Sequence, residues 1–313
     1  MSLKMLPTRD GYGHALIELG ATNPNVIVLD ADLAKSTRSD WFGNKYPDRF
    51  FDIGIAEQDM VGTAAGLALG GKIPFATTYA VFVAGRAWDQ IRTTVCYSNL
   101  NVKIAGAHGG ISAGGDGATH QSLEDIAVMR VLPNMTVLVP CDAIEAKKAT
   151  LAAAAIQGPC YLRFAREATP VFTSEDDIFE IGKAAILRDG SDITFIGCGP
   201  LVHEALLAHD QLKDKGITLR VINMHTVKPL DEEAIVKAAK ETGAIITLEE
   251  AQVIGGLGGA VAEVLAKTTP VPMEMMAIQD TFLECGTPEQ LAEKYNLTAK
   301  AIVATVEKIL KRK

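Results

Sequence analysis

A chain of 313 residues with 48% hydrophobic and 22% charged content is long enough for two domains with ordinary cores, and that balance excludes a disordered protein. A formal net charge of −8 gives no general basic field, which argues against nucleic acid or an anionic membrane as partner. The five cysteines, Cys96, Cys141, Cys160, Cys198 and Cys285, are scattered and never form a C-x-x-C pair, so reduced thiols in a cytoplasmic protein are expected rather than disulfides or a zinc site. No apolar run approaches the ~20 residues needed to span a bilayer. Met1-Ser2-Leu3 is read as a cloning remnant and set aside.

Residues 8–19 (TRDGYGHALIEL) predict an amphipathic helix, and 25–29 (NVIVL) a short buried strand. The polar loop 30–37 follows, carrying Asp32 and Ser36. Such groups at the carboxyl end of a strand stand where ligands bind in open α/β sheets, although a solvated loop reads the same way. A second strand ends at Gly54, and a helix opens near Glu57 and runs to Leu69. Its face through Gly62, Gly66 and Gly70 carries almost nothing larger than Ala, so a partner helix can approach closely. Glu57 falls in the first helical turn. There a carboxylate can complement the helix N-terminus, or a buried acid can exchange a proton with a ligand nitrogen.

The next strand is 73–77, with Tyr79 and Phe82 just beyond it and a helix expected over 85–97. In a chain with only 6% aromatics these two rings suit a stacking platform for a flat heterocycle, or core packing. A strand over 102–105 leads into the glycine-rich run 107–121 (AHGGISAGGDGATHQ). Its glycines permit positive φ and close backbone approach, so His108, Asp116 and His120 can converge on one small ligand. The two histidines lack tight ligand spacing and nearby cysteines, so no metal site is expected. A helix over 123–131, a strand over 136–139, a helix over 143–156 and a strand over 160–164 complete this unit, which ends near Pro170 after Ala165-Arg166-Glu167.

Residues 171–182 are acidic with little periodicity and read as a linker. Alternation then restarts, with strands near 193–196, 218–222, 244–248 and 271–278, helices near 202–212, 231–241 and 259–267, and two closing helices over 288–295 and 298–310. The expected fold class is therefore α/β, with two doubly wound domains at 1–170 and 183–313. Gly255-Gly256-Leu257-Gly258-Gly259 is a poor dinucleotide loop, because its glycines do not follow the G-x-G-x-x-G order directly after a strand.

Two motifs carry a family resemblance. Ile55-Ala56-Glu57-Gln58 resembles the IAEQ element of transketolases and 1-deoxyxylulose-5-phosphate synthases, and residues 115–121 (GDGATHQ) resemble the transketolase GDGxTHQ element. The magnesium-binding GDG of thiamine enzymes is a different element, followed downstream by an asparagine; none occurs around Ile144-Glu145-Ala146-Lys147. The resemblance extends over nearly the whole chain, but only to the second half of a full-length transketolase, its pyrimidine-binding and C-terminal domains.

That resemblance implies a thiamine diphosphate enzyme moving a two-carbon ketol unit between sugar phosphates. Glu57 would meet N1′ of the aminopyrimidine, Tyr79 and Phe82 would wall the ring, and Asp32 would lie beside the thiazolium. His108, Asp116 and His120 would hold donor hydroxyls, while Arg9, Ser36 and Arg166 would bind the distal phosphate. It further implies a homodimer of this chain assembled with a separate N-terminal transketolase subunit, which would carry the Mg2+ and diphosphate contacts. Gly85 stands where many relatives place a third aromatic, implying a more open pocket, and the sequence after Arg166 departs from the usual pattern. Alternative readings are a deoxyxylulose-phosphate synthase-like subunit, a 2-oxo acid dehydrogenase beta-like subunit, and a noncatalytic paralogue.

Overall fold

The computed structural model describes residues 3–313; Met1 and Ser2 of the remnant lie outside the described residues. Buried β-branched and aliphatic runs form the strands, and all five residues of Val26–Asp30 and of Lys103–Ala107 are buried. Strands buried on both faces belong in a parallel sheet covered by helices. The first sheet has the order Thr226–Lys228, Thr136–Leu138, Cys160–Arg163, Lys103–Ala107, Ile73–Tyr79, Val26–Asp30, Phe50–Asp52. Every pair is parallel except the one made by Thr226–Lys228. That strand comes from the second half of the chain and was not foreseen.

The second sheet runs Met273–Ile278, Ile245–Gln252, Ile193–Gly197, Leu219–Asn223, Ala185–Arg188, with only the last strand antiparallel. Four of these strands stand where the alternation placed them; the edge strand Ala185–Arg188 is new. Residues 171–184 hold no helix or strand, yet they are pinned. The Asp142 carboxylate, which caps the helix Ala143–Ala155, accepts from the backbone N–H groups of Phe172 and Thr173 at 2.9 and 2.7 Å. Lys148 donates to the carbonyls of Ser174 and Asp177.

One apolar cluster crosses both sheets, joining Leu29, Met60 and Ile104 to Ile196, Ile222 and Val261. A buried ionic group reinforces it. Arg163, at the end of its strand, donates through Nε to Asp125 at 2.8 Å and through Nη2 to the Glu250 carbonyl at 3.0 Å, and its Nη1 lies 3.6 Å from the Glu250 carboxylate. Burial alone would pull the guanidinium down, but Asp125 and Glu250 hold it above its ordinary value. Burial pushes Glu250 up to about 7 despite Arg163. Among the described residues, no helix is long and apolar enough to cross a membrane.

Removing one partner from a buried ionic group leaves charge without compensation, and this typically costs ~3–5 kcal/mol. Arg163→Met is therefore expected to lower unfolding stability by ~3–5 kcal/mol in guanidinium titrations at neutral pH, a loss of only ~1 kcal/mol marking the network as dispensable.

Candidate active site

The residues singled out in sequence, apart from Arg9 in the helix Thr8–Thr22, follow the carboxyl ends of five neighbouring strands of the first sheet, where an open α/β sheet leaves room for a ligand. Asp30 ends Val26–Asp30 and shapes the loop beyond it. Its carboxylate accepts from the Leu33 N–H at 2.6 Å, from Thr37 Oγ1 at 2.9 Å and from Ser39 Oγ at 2.7 Å, while burial pushes it up to about 6. The loop is partly helical over Ala34–Thr37, where open polar chain was expected. Asp32 is exposed at φ 62°, with its backbone N–H on Asp52 Oδ1 at 3.1 Å. The same oxygen receives the Gly54 N–H, tying Asp32 to the entry of the helix Glu57–Leu69.

Glu57 is the first residue of that helix and is 4% exposed. Its Oε1 accepts from Arg86 Nη1 at 2.9 Å, and among the described residues Oε2 has no hydrogen-bond partner. Tyr79 closes Ile73–Tyr79, and the chain turns at once into the helix Ala80–Arg86, earlier than the expected start at Gly85, because Val83 and Ala84 bury a helical face against the core. Tyr79 and Phe82 thereby sit about one turn apart. Their rings lie within 15° of parallel, with centroids 5.8 Å apart. The Arg86 guanidinium carbon stands 4.1 Å from the Phe82 centroid. A Cβ added at Gly85 would meet nothing within 4 Å, so the space expected from the missing aromatic is open within this chain.

His108 follows Lys103–Ala107 at φ 58° and packs edge-on against Tyr79, with centroids 3.9 Å apart. Its Nε2 accepts from Arg9 Nη1 at 2.9 Å, which places the ring proton on Nδ1, a buried atom without a partner. Burial, then Arg9, Arg166, Arg38 and His120, push the imidazole down to about 2. Arg9 also donates to the Ser36 carbonyl at 2.7 Å, so Ser36 enters the cluster through its backbone and not its hydroxyl. His108 is thus joined to Arg9, an expected phosphate contact, whereas sequence had grouped it with Asp116 and His120.

The other two stand nearby. Asp116 accepts from Arg166 Nη1 at 2.8 Å, linking an expected hydroxyl contact to an expected phosphate contact. His120 turns its ring edge to Phe82 at 5.3 Å and to Tyr79 at 6.2 Å, with Nδ1 on Thr119 Oγ1. Glu57, Phe82, Tyr79, His108, His120, Arg9 and Ser36 are thus joined through direct contacts and through Arg86. Asp116 and Arg166 pair with each other, and Asp32 is tied in only by its backbone N–H on Asp52. Sequence reasoning missed Arg86, Asp30, Asp52 and Arg38, the last held by Asp10 at 2.7 Å. A second arginine in the segment that carries Arg9 and Ser36 was the only signal available for Arg38.

The wall offers a buried carboxyl with a free oxygen, two near-parallel rings, an imidazole with an unpartnered N–H and a half-buried arginine. That set fits a flat, nitrogen-bearing heterocycle beside a hydroxylated anion. Among the described residues, no cluster of His, Cys, Asp and Glu could hold a metal ion.

The family model of the transketolase pyrimidine-binding domain matches residues 4–171, and that of the transketolase C-terminal domain matches residues 182–302. The 6-deoxy-6-sulfo-D-fructose transketolase subunit SqwH of Clostridium sp. (strain MSTE9) is 43% identical, covering 97% of this chain and 95% of that protein. An apulose-4-phosphate transketolase subunit of Phocaeicola vulgatus is 39% identical over 100% of both chains. A solved structure described as a split gene transketolase, inactive beta4 tetramer, superposes with a TM-score of 0.90 at 47% identity, covering 98% of this chain and 99% of its own.

The geometry makes a direct prediction for His108. Its carbon resonances should keep the neutral, Nδ1-protonated signature from pH 8 down to about pH 4, followed by carbon-detected NMR with His108→Asn as the assignment control; a midpoint above about pH 5 would contradict the buried, arginine-flanked geometry. Because the folded group binds a proton less readily than the unfolded one, its contribution to stability is full above about pH 6.5 and declines on acidification.

Proposed function

Because this chain belongs to the transketolase family, we propose that it is the C-terminal subunit of a thiamine diphosphate-dependent ketol transferase and works with a separate N-terminal, diphosphate-binding subunit. The observation that carries this reading is one unbroken run of contacts, from Glu57 through Arg86, Phe82, Tyr79 and His108 to Arg9 and the Ser36 carbonyl. A proton-exchanging acid, a stacking wall and an anion grip lie along it in the order that a cofactor ring and an anionic sugar require.

When bound, the cofactor supplies an electron sink for the two-carbon unit. This chain's residues do the positioning. Oε2 of Glu57 would hold the proton offered to the pyrimidine nitrogen, Tyr79 and Phe82 would exclude water from the ring face, and Asp32 would lie on the side that takes the thiazolium. Asp116, His120 and the Nδ1–H of His108 hold donor hydroxyls. Arg9, with the Ser36 loop and Arg166, holds the charged end of the sugar. Both relatives are named for substrates bearing a sulfo or phosphate group, which supports an anionic sugar; a sugar phosphate is the reading offered here. Mg2+ and the diphosphate contacts are assigned to the N-terminal subunit.

Assembly as a homodimer through the Glu57 helix is part of the same proposal. A Cβ added at Gly62 or Gly66 would meet nothing within 4 Å, and Ile55 and Leu69 nearby are 75% and 76% exposed.

The test is Glu57→Gln in the complex reconstituted with the N-terminal subunit. Ketol transfer and exchange of the cofactor's C2 proton are expected to fall at least ~100-fold, as loss of a positioned acid–base group requires. Full rates in the variant would remove Glu57 from the mechanism. Isothermal titration should give tight, magnesium-dependent cofactor binding by the complex and weak binding by this chain alone; tight binding by the isolated chain would contradict the split site.

A further inference from the structure

Arg86 touches the carboxyl and one of the two rings proposed to face the pyrimidine. Its Nη1 donates to Glu57 Oε1 at 2.9 Å, and its guanidinium carbon lies 4.1 Å from the Phe82 centroid. Its backbone is tied to the same helix entry, because Gln58 Nε2 donates to the Arg86 carbonyl at 3.0 Å. The side chain of Glu57 is 4% exposed while that of Arg86 is 50% exposed, so the pair stands at the mouth of the site with the carboxyl on its inner side. A carboxylate on a flexible three-bond stem has several rotamers open to it. Fixing one oxygen to a guanidinium that itself stands over an aromatic face removes most of them. Oε2 remains the free acceptor.

We infer that Arg86 is a positioning residue. It holds Oε1 of Glu57 and backs the Phe82 ring, so that the second carboxyl oxygen and the aromatic wall keep a fixed relation to one another before the cofactor arrives. The inference rests on the reading given under Proposed function and extends it to a residue outside the ring contacts. A guanidinium does this where an ammonium does it in part: lysine supplies the charge for Glu57 but has no planar face for Phe82.

The experiment uses the complex with the N-terminal subunit and the variants Arg86→Gln and Arg86→Lys. At saturating thiamine diphosphate, Arg86→Gln should slow C2 proton exchange by ~tenfold or more, because a misplaced acid loses rate steeply with small displacements. Its cofactor Kd from isothermal titration should rise less than ~threefold, since that affinity is assigned chiefly to the diphosphate tail. Arg86→Lys should recover exchange above the glutamine variant. This split between rate and affinity separates positioning from a packing role, in which exchange, affinity and thermal midpoint would decline together and lysine would bring no recovery. Exchange in Arg86→Gln within ~threefold of the parent would overturn the inference. If the parent complex neither binds the cofactor nor exchanges its proton, the underlying reading falls as well; if the parent exchanges and Arg86→Gln matches it, only the role of Arg86 falls.

Discussion

The fold turns on a buried arginine. Arg163 is 3% exposed, and Asp125 and Glu250 beside it are 0% and 4% exposed; the first two belong to the first sheet and its cover, the third to the second sheet. Charges so deeply desolvated are costly unless they are paired and hydrogen-bonded. Arg163 also donates to the Ser122 carbonyl, and Tyr161 donates its hydroxyl to Asp125 Oδ2, the same oxygen that meets Arg163, while Asp125 Oδ1 has no partner among the described residues. The network fixes how the second half of the chain sits on the first. It also dictates the loop that follows His108. A Cβ at Gly109 would stand 2.5 Å from Arg163 Nε, and one at Gly110 would stand 2.5 Å from the Glu250 carbonyl oxygen. Only glycine lets the backbone run over the ion pair, and Gly110 adopts φ 66° in doing so.

Local electrostatics at the site follow from that placement. With the loop pressed onto the network, His108 is driven inward beneath Tyr79 and toward Arg9, where arginines surround it. A neutral imidazole is then the only form the pocket tolerates, and its role narrows to accepting from Arg9 through one nitrogen and donating through the other. Two of the three arginines are already matched: Arg38 by Asp10, and Arg166 by Asp116 and Glu167. Arg9 has no carboxylate partner within ion-pair distance among the described residues. Its charge is unmatched by any carboxylate, and burial pushes its guanidinium below the ordinary value. Binding an anion there would relieve the strain that burial imposes.

Much of this was legible in the sequence, and what was not has identifiable causes. The central parallel strands announced themselves because burial on both faces demands continuous aliphatic runs, as in Val26–Asp30 and Ile193–Gly197. Short edge strands carry no such demand. Ala185–Arg188 alternates partly buried with exposed residues, and Thr226–Lys228 is only three residues long, so neither stood out from loop. The start of the Ala80–Arg86 helix was masked because Val81, Phe82 and Val83 look like a continuing strand, and the packing of Val83 and Ala84 against the core overrode that preference. Arg86 was invisible for a different reason: nothing local in Ala84-Gly85-Arg86-Ala87 distinguishes a solvated arginine from one folded onto a carboxylate 29 residues earlier in the chain. Ser36 was found for its hydroxyl and is used for its carbonyl, a contribution that residue type does not encode.

The glycines separate what the chain requires for itself from what it leaves to something else. Gly11, Gly106, Gly109 and Gly110 face atoms of this same chain so closely that any side chain would collide, and their identity is explained within the fold. Gly62 and Gly66 lie mid-helix, where glycine costs about 1 kcal/mol each relative to alanine, and a Cβ at either would enter empty space. A helix that gives up about 2 kcal/mol with no internal steric reason does so on its exposed side, opposite the buried side that carries Glu57, and leaves room there for an approach from outside the chain.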